Sequence, residues 1–390
     1  MAELRYLPLF SSLHDPEELH SATAPFLAEL SARTGLDPVA VPPDAPELPS
    51  VVYVQTGGTE AAFRRLSPRL PSPLILLSHP AHNSLPASLE ILTWIKARNR
   101  RAVIVHGEAD EAASLLERLI QALSAGRSLK DSRLGLFGAP SDWLIASRPP
   151  AADIEKRWGC RVIEIPLEEI RLPPGPCPGS AARPPAPTSV EQARQLGPVL
   201  SELVRKHGLD GLSLRCFDLL KSWGNTGCLA LSQLNDSGIP ASCEGDLPAL
   251  FTLRVVKALT GLPGFMANPS SWSPSRQELI LAHCSVPLTL LTDHVLDTHF
   301  ESGIGVGIRG KFRKGPCSLF KFGGRDLSRL FYCRGEITAN LSRDDLCRTQ
   351  IVFKPTDDFS SYLAQPLGNH LIVVPGWWEG KVEAFRRLFL

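Results

Sequence analysis

The sequence lacks a strong excess of charge, a long apolar run and any closely spaced cysteine pair, and each absence excludes a class of protein. Its 390 residues carry 41 Lys and Arg against 40 Asp and Glu, a formal net charge of +1. So small a net charge provides no broad basic field for nucleic acid or for an anionic membrane. No run of about 18 apolar residues occurs, which argues against an ordinary transmembrane helix. We therefore expect neither nucleic acid nor a membrane as a partner.

The N-terminus and the cysteines both favour a cytoplasmic location. No basic segment followed by an apolar stretch opens the sequence, so no secretory signal is visible. The nine cysteines are scattered and none forms a Cys-x-x-Cys pair. This pattern fits reduced, mostly buried thiols better than a disulfide framework or a structural zinc site.

Apolar runs alternate with helical patterns over the first third of the chain. Short buried runs occur at Val51–Val54, Leu74–Leu77 and Ala102–Val105, and a helical pattern follows each. Strands and helices in alternation predict a parallel sheet covered on both faces. Because the chain exceeds the size of one ordinary core, we predict a Rossmann-like α/β domain over residues 1–139 and further domains after it.

Two more domains are predicted from a change in pattern along the chain. Residues 140–282 read as a second Rossmann-like α/β domain, interrupted by a proline-rich connection over 172–188 that cannot form a helix or a central strand. From 283 to 390, short alternating runs separated by Gly and Pro predict an antiparallel, barrel-like β domain. The predicted fold class is therefore α/β, with two α/β units followed by a β-barrel-like domain.

A glycine pair after the first buried run raises the question of a nucleotide. Thr56-Gly57-Gly58-Thr59 could offer backbone N–H groups to a phosphate at a helix N-terminus. It is not a complete Gly-x-Gly-x-x-Gly motif, and no acidic ribose partner follows about 20 residues later. A tight turn is the better interpretation, and no nucleotide cofactor is predicted.

Three polar side chains stand at the ends of separate predicted strands. They are Glu244 in Ala-Ser-Cys-Glu-Gly-Asp, His283 in Ala-His-Cys and His370 in Gly-Asn-His. Oxygen and nitrogen donors brought together from several strands suit a divalent metal ion. Structural roles are the alternatives: Glu244 and Asp246 could each stabilise a helix N-terminus, and His283 could be a core histidine.

These motifs, with His-Phe-Glu-Ser-Gly and Cys-Arg-Thr-Gln, resemble the L-fucose and L-arabinose isomerase family, in particular the shorter L-fucose isomerase-like proteins. The resemblance implies a metal-dependent ketol-isomerase with Mn²⁺, or with Zn²⁺ or Co²⁺, as cofactor. It implies that Glu244 is both ligand and base, that His370 and His283 are ligands and that Asn369 contacts sugar hydroxyls. It also implies a homo-oligomer, either a trimer or a hexamer.

Asn268 departs from the family pattern, because the fucose isomerases carry an aspartate at this place. An asparagine carbonyl oxygen can coordinate a hard cation, but it cannot accept a proton as a carboxylate does. We therefore expect Asn268 to act as a weak ligand or a sugar contact in the catalytic site. Asp246 could take over the missing acid if the turn at Gly245 places it correctly.

Two further groups of side chains could bind the sugar. Asp297, His299 and Glu301 alternate, so they would share one face if the segment were extended, and His299 and Glu301 are predicted sugar contacts. A polar edge or turn is the alternative. Trp223 follows a strand of the second α/β unit, where ligand crevices form, and could stack on a sugar face.

The sequence thus predicts a metal-dependent aldose–ketose isomerase that works through an enediolate on an aldose or a related hydroxy-carbonyl compound. Interconversion of an aldose and a ketose requires a polarised pair of oxygens and groups that move protons. Two alternatives remain open. One is a sugar-binding protein of the same fold that has lost catalysis, and the other is a different metal-assisted sugar epimerase or lyase.

Overall fold

The structure is a computed structural model that describes residues 2–172 and 183–390. Most of the predicted proline-rich connection, residues 173–182, lies outside the described residues. The chain groups into two compact units, one of Met1–Gly126 with Gly380–Leu390 and one of Arg127–Glu379. The predicted division into three domains stays a prediction.

The first unit contains a five-stranded parallel sheet in the order β2-β1-β3-β4-β5. The central strands β3 and β4 are short, apolar and buried along their full length. Its strands are β1 (Ala2–Leu9), β2 (Leu36–Ala40), β3 (Val51–Val54), β4 (Leu74–Leu77) and β5 (Ala102–Val105). Its helices are α1 (Pro16–Thr34), α2 (Glu60–Leu66), α3 (Ser84–Lys96) and α4 (Ala109–Arg127).

The second unit begins with a four-stranded parallel sheet in the order β7-β6-β8-β9. Its strands are β6 (Arg133–Phe137), β7 (Arg161–Ile165), β8 (Gly211–Leu214) and β9 (Ala241–Cys243). Its helices are α5 (Ala151–Trp158), α6 (Pro187–His207), α7 (Cys216–Trp223), α8 (Cys228–Asp236) and α9 (Leu247–Thr260). The two parallel sheets confirm the predicted pair of α/β units.

A closed antiparallel barrel of six strands follows in the same unit, in the order β10-β11-β16-β15-β14-β17. These strands are β10 (Phe265–Ser273), β11 (Glu278–His283), β14 (Gly315–Gly323), β15 (Arg329–Asn340), β16 (Thr349–Pro355) and β17 (Leu371–Pro375). The strands β12 (Leu291–Asp297) and β13 (Gly307–Phe312) form a separate two-stranded sheet, and α10 (Ser360–Ala364) precedes β17. The barrel confirms the predicted β architecture.

The barrel core and helix α9 place the candidate site. Alternate residues of the barrel strands, such as Leu279 and Leu281 on β11, are fully or almost fully buried in one apolar cluster. Helix α9 lies against the barrel, where the Thr252 hydroxyl accepts a hydrogen bond from the Phe322 backbone N–H at 2.9 Å. The start of α9 therefore lies close to one end of the barrel.

The chain ends in helix α11 (Glu379–Phe389), most of which groups with the first unit. Gly126 near the end of α4 allows this packing, because a Cβ there would overlap the ring of Phe389. Across residues 2–172 and 183–390, no helix combines the length and the apolar character needed to cross a bilayer.

Candidate active site

A cavity of about 370 Å³ lies in the second unit, where β9 ends and the barrel strands β10 and β11 meet. Most of the side chains singled out in the sequence face it. Its lining consists of Trp143, Phe217, Cys228, Cys243, Glu244, Asn268, His283, Cys284, His299, Glu301, Cys347 and Asn369. The volume is at the lower end of the range for small-molecule sites.

The register of three neighbouring barrel strands places polar residues that are distant in sequence at the same end of the barrel. Ala267 pairs with Leu371 between β10 and β17, so Asn268 and His370 are adjacent. Asn268 pairs with Ala282 between β10 and β11, so His283 lies one residue further. The barrel therefore gathers an amide and two imidazoles at the end that faces β9.

Glu244 reaches this end from a tight turn after β9. Its φ of 64° lies in the left-handed region, which a residue with a Cβ adopts only at a cost of order 1 kcal/mol or more. Gly245 follows with a φ of 70°, and a Cβ there would lie 2.7 Å from the backbone of Pro140. The turn thus requires glycine next to the carboxylate and directs Glu244 into the cavity.

Asp246 ends the same turn, and each of its carboxylate oxygens accepts a hydrogen bond. One carboxylate oxygen caps helix α9 by accepting the Ala249 backbone N–H at 2.8 Å. The other accepts a hydrogen bond from Nδ1 of His370 at 2.8 Å, and both side chains are fully buried. This hydrogen bond places the proton of His370 on Nδ1 and leaves the Nε2 lone pair directed toward Glu244.

Lys321 of β14 is a buried cation beside this pair. Its side chain is fully buried, and its Nζ lies 3.7 Å from Oδ2 of Asp246 without a hydrogen-bond partner in the described structure. Gly368 leaves the space for it, since a Cβ at that position would approach Nζ to 3.4 Å. The carboxylate of Asp246 is thus held between an imidazole and an ammonium group.

His283 is oriented by the residue two positions later. Its Nδ1 lies 2.9 Å from the hydroxyl of Ser285 and 3.3 Å from the Ser285 backbone N–H. Because the backbone N–H can only donate, Nδ1 accepts that hydrogen bond and the ring proton lies on Nε2. Metal binding through Nε2 would require this proton to move to Nδ1, where the Ser285 hydroxyl could accept it. Nε2 of His283 lies 3.9 Å from Oε1 of Glu244.

Glu244, His283 and His370 form a buried group whose donor atoms all lie within 4.8 Å of one another. Nε2 of His370 is 3.5 Å from Oε1 of Glu244. Two imidazole nitrogens and a carboxylate oxygen are donors that a borderline divalent cation accepts. His370 also donates its other ring N–H to a carboxylate, the arrangement that usually orients a metal-binding histidine. The residues therefore fit a metal ion.

The charge of Glu244 agrees with this chemistry, and metal binding to His370 would displace its second ring proton. Burial alone would raise the pKa of the Glu244 carboxyl, but the imidazoles of His283 and His370 outweigh it, and the pKa lies well below the ordinary value. Burial alone would lower the pKa of His370, but Asp246 and Glu244 outweigh it and raise the pKa. Glu244 is therefore ionised at neutral pH, as a metal ligand must be.

Comparison with known proteins gives a limited match to this arrangement. No protein-family model matches the chain. Over 261 residues the chain is 23% identical to the sulfoquinovose isomerases of Priestia aryabhattai and Priestia megaterium. The chain is similar to a sugar isomerase. The match covers 61% of this chain and only 58% of each relative, and it does not distinguish one sugar isomerase family from another.

The two asparagines predicted near the site lie together at its edge. Nδ2 of Asn369 donates to Oδ1 of Asn268 at 3.2 Å and lies 3.5 Å from Nε2 of His370. Asn268 is partly buried, whereas Asn369 is exposed. Both line the cavity, and their predicted roles in metal and sugar binding stay predictions.

The segment after β12 divides into two parts. His299 and Glu301 line the cavity, whereas Asp297 does not. Asp297 instead accepts hydrogen bonds from the guanidinium groups of Arg183 and Arg309 at 2.8–3.0 Å. The segment leaves the extended conformation after Asp297, so the three side chains do not share one face.

A different tryptophan from the predicted one lies beside the candidate site. Trp223 is only 6% exposed at the end of α7 and does not line the cavity. Trp143 does, and its Nε1 donates to Oε2 of Glu244 at 2.6 Å while its ring packs edge-on against Phe217. Sequence reasoning missed Trp143 because it stands 101 residues from Glu244 in an irregular loop, where a lone tryptophan carries no recognisable signal.

Proposed function

We propose that this protein is a metal-dependent aldose–ketose isomerase. The observation that carries the proposal is the buried group of Glu244, His283 and His370, with His370 oriented by Asp246. Glu244 and His283 line the cavity, and His370 lies behind them. Mn²⁺ is the proposed ion on the family resemblance, with Zn²⁺ and Co²⁺ as alternatives, and one carboxylate with two imidazoles accepts any of the three.

Similarity to a sugar isomerase supports the reaction class. The matched relatives are named for the isomerisation of sulfoquinovose, and the match extends over 61% of this chain. An aldose, or a related hydroxy-carbonyl compound, is therefore the proposed substrate. The cytoplasmic location and the trimeric or hexameric assembly rest on the sequence and on family resemblance.

The proposed mechanism assigns the carbon-bound proton to Glu244. A divalent ion bound by Glu244, His283 and His370 would polarise the neighbouring oxygens at C1 and C2 of the sugar. Glu244 removes the proton from C2, and the C2–H electron pair forms a C1–C2 double bond as the π pair of the C1 carbonyl moves to O1. Glu244 then gives a proton to C1 of the enediolate as the carbonyl forms at C2. Trp143 keeps Glu244 in place through its Nε1 hydrogen bond, and Asn369 donates to a sugar hydroxyl.

Metal content of the purified protein tests the centre. We expect near-stoichiometric Mn²⁺, Zn²⁺ or Co²⁺ in the wild type, and loss of the ion in Glu244→Gln and His370→Ala. Glu336→Gln and His294→Ala are matched controls, because both side chains are exposed on barrel or hairpin strands and should leave the metal content unchanged. Protein that takes up no metal even in excess Mn²⁺ would exclude this mechanism.

Turnover is tested with a set of sugars that differ in charge and stereochemistry. D-glucose, L-fucose, L-arabinose and sulfoquinovose are incubated with the metal-loaded protein, and NMR identifies the product. A ketose supports the isomerase, whereas a C2 epimer or a cleaved sugar supports the alternative epimerase or lyase.

Asn268 favours a second candidate function, that of a sugar-binding protein without catalysis. Its amide lines the cavity at a place where the resembled isomerases carry a proton-accepting carboxylate. Binding of a sugar without turnover in the wild type, together with turnover in Asn268→Asp, would support this second function.

A further inference from the structure

His299 is a second basic group in the same cavity as Glu244. It lies between β12 and β13, is 6% exposed and packs against the edge of the Phe217 ring at a centroid distance of 5.3 Å. Two backbone hydrogen bonds hold it, one from its own N–H to Ile304 and one from Gly303 to its carbonyl, at 3.2 and 2.9 Å. The imidazole is thus presented from a closed turn, a rigid position from which to act on a bound sugar.

The hydrogen bonds of Ser302 determine which nitrogen of His299 carries the proton. The Ser302 hydroxyl donates to the carbonyl of Ile304 at 3.3 Å, and Nδ1 of His299 lies 3.1 Å from the same hydroxyl oxygen. In the arrangement in which the hydroxyl proton is directed to Ile304, Nδ1–H is the donor of the second bond. Nε2 therefore holds the lone pair, and it makes no hydrogen bond within residues 2–172 and 183–390.

The environment keeps this imidazole uncharged. Burial lowers the pKa of His299 to about 4; Arg348 acts in the same direction, and the carboxylates of Glu301 and Glu244 only partly oppose it. At neutral pH His299 is therefore a proton acceptor in its resting form. Among the described residues that line the cavity, the other histidine is His283, which belongs to the proposed metal-binding group.

The proposed isomerisation needs two proton transfers, one between carbons and one between oxygens. Glu244 accounts for the carbon-bound proton, and Asn268 cannot accept the other. We propose that Nε2 of His299 is the catalytic group that carries the oxygen-bound proton, an inference that rests on the proposed function. His299 fills the role that a second carboxylate would otherwise have.

The step balances without an added reactant. His299 takes the proton of the C2 hydroxyl. The sugar oxygen O2 then forms the new carbonyl with C2, and the electron pair of the C1–C2 double bond forms the new bond between C1 and its proton. C1 acquires its proton from Glu244, which in D₂O exchanges part of the protons removed from C2 with the solvent. His299 returns its proton to O1, so the aldose becomes a ketose and both side chains regain their starting states.

Isotope exchange in D₂O separates the two transfers. The test uses whichever of D-glucose, L-fucose, L-arabinose and sulfoquinovose the wild type converts, and NMR follows ketose formation and loss of the C2 proton together. In His299→Gln we expect ketose formation to fall about 10²–10⁴-fold, the usual contribution of general acid–base catalysis. C2 exchange should fall less, because Glu244 still removes the carbon-bound proton.

Two further variants make the result decisive. His294→Gln, on the exposed face of β12, is the matched control and should leave both rates unchanged. Ser302→Ala removes the acceptor of Nδ1–H but keeps the imidazole ring. It should lower ketose formation more than C2 exchange, by a smaller factor than His299→Gln does. This variant replaces His299→Gln if that protein fails to fold.

The outcomes distinguish the inference from the proposed function. Equal losses of exchange and ketose formation in metal-loaded His299→Gln, or no loss at all, overturn the role of His299 and leave the isomerase standing. A wild type that binds metal but neither forms a ketose nor exchanges the C2 proton with any of the four sugars overturns the isomerase and this inference together.

Discussion

Asp246 and His370 are joined by a 2.8 Å hydrogen bond that links the start of α9 to the residue before β17, across 124 positions of sequence. The same oxygen of Asp246 faces Lys321 at 3.7 Å, and the other oxygen caps the helix. The orientation of the candidate metal ligand therefore depends on the position of a helix N-terminus. This coupling explains why a capping aspartate in Glu-Gly-Asp matters to the site although it does not line the cavity.

Asp246→Asn should weaken metal binding about 10–100-fold, the usual effect of losing the partner of a metal-binding histidine. Asparagine caps helices as well as aspartate does, so α9 should remain intact. The amide no longer supplies the negative charge that holds the proton on Nδ1 of His370. Competitive titration of apo-protein with Mn²⁺ or Zn²⁺ measures the affinity.

The control for this substitution is Asp236→Asn. Asp236 accepts backbone N–H groups of Leu288 and Thr289 away from the cavity, so the same chemical change there should leave metal affinity unaltered. Equal affinity in Asp246→Asn and the wild type would contradict the orienting role.

Lys321→Met should destabilise the protein by about 3–5 kcal/mol, because it leaves the buried carboxylate of Asp246 without its ammonium partner. Methionine has a similar length, so the loss is mainly electrostatic. In the double variant with Asp246→Asn neither charge remains. Its loss of unfolding free energy should be smaller than the sum of the losses in the two single variants by about 1–3 kcal/mol. Denaturant unfolding of the four proteins gives this coupling energy, and a value near zero would show that the two groups do not interact.

Asn268→Asp should tighten metal binding, by about 10-fold or more, because it adds a carboxylate beside His370. The new side chain can still accept the 3.2 Å hydrogen bond from Asn369, so little rearrangement is needed. Ser270→Asp adds the same charge at an exposed position on β10. It tests whether a negative charge that does not face the cavity also tightens metal binding. If both variants bind metal equally tightly, Asn268 does not face the ion.

The free energy of unfolding should fall at acid pH because the carboxylate of Asp297 becomes protonated. Burial alone would raise the pKa of its carboxyl, but Arg183 and Arg309 outweigh it and lower the pKa to about 2. Since the folded-state pKa lies below the unfolded value of about 3.9, the ionised carboxylate stabilises the fold above about pH 4, and this contribution is lost as the pH falls toward 2. The ionised carboxylate of Asp297 contributes up to about 2 kcal/mol to the free energy of unfolding.

Denaturant unfolding of the wild type and Asp297→Asn at about pH 5 and about pH 2.5 checks this expectation. The gap in unfolding free energy between the two proteins should narrow as the pH falls, because protonated Asp297 and asparagine are similar. A gap that stays constant would contradict the lowered pKa.

Much of the fold could be predicted because its signals are local. The short buried runs follow from apolar composition and the turn residues beside them, and the structure has strands at the same positions, Val51–Val54, Leu74–Leu77 and Ala102–Val105. Strand β1 was not predicted, since Ala2–Leu9 contains charged residues and a proline that conceal its buried face.

The candidate site could be predicted only in part. Glu244, His283 and His370 stand out because a polar residue ends an apolar strand, and the structure brings all three together. Lys321 lies within a strand as an ordinary alternating charge, and the sequence analysis predicted Trp223 as a sugar contact and did not identify Trp143. The sequence beside Lys321 does not distinguish a charge buried against Asp246 from one that faces solvent.

The sequence by itself determined the elements and the chemistry available, because helix and strand patterns and residue types act over short distances along the chain. Tertiary structure alone decided which polar groups meet. Closure of the barrel sets the register that places His370 beside Asn268, and the packing of α9 brings Asp246 to His370 and Lys321. Contacts between residues 75 or more positions apart depend on how whole elements pack, and that packing minimises the exposed apolar surface of the unit as a whole.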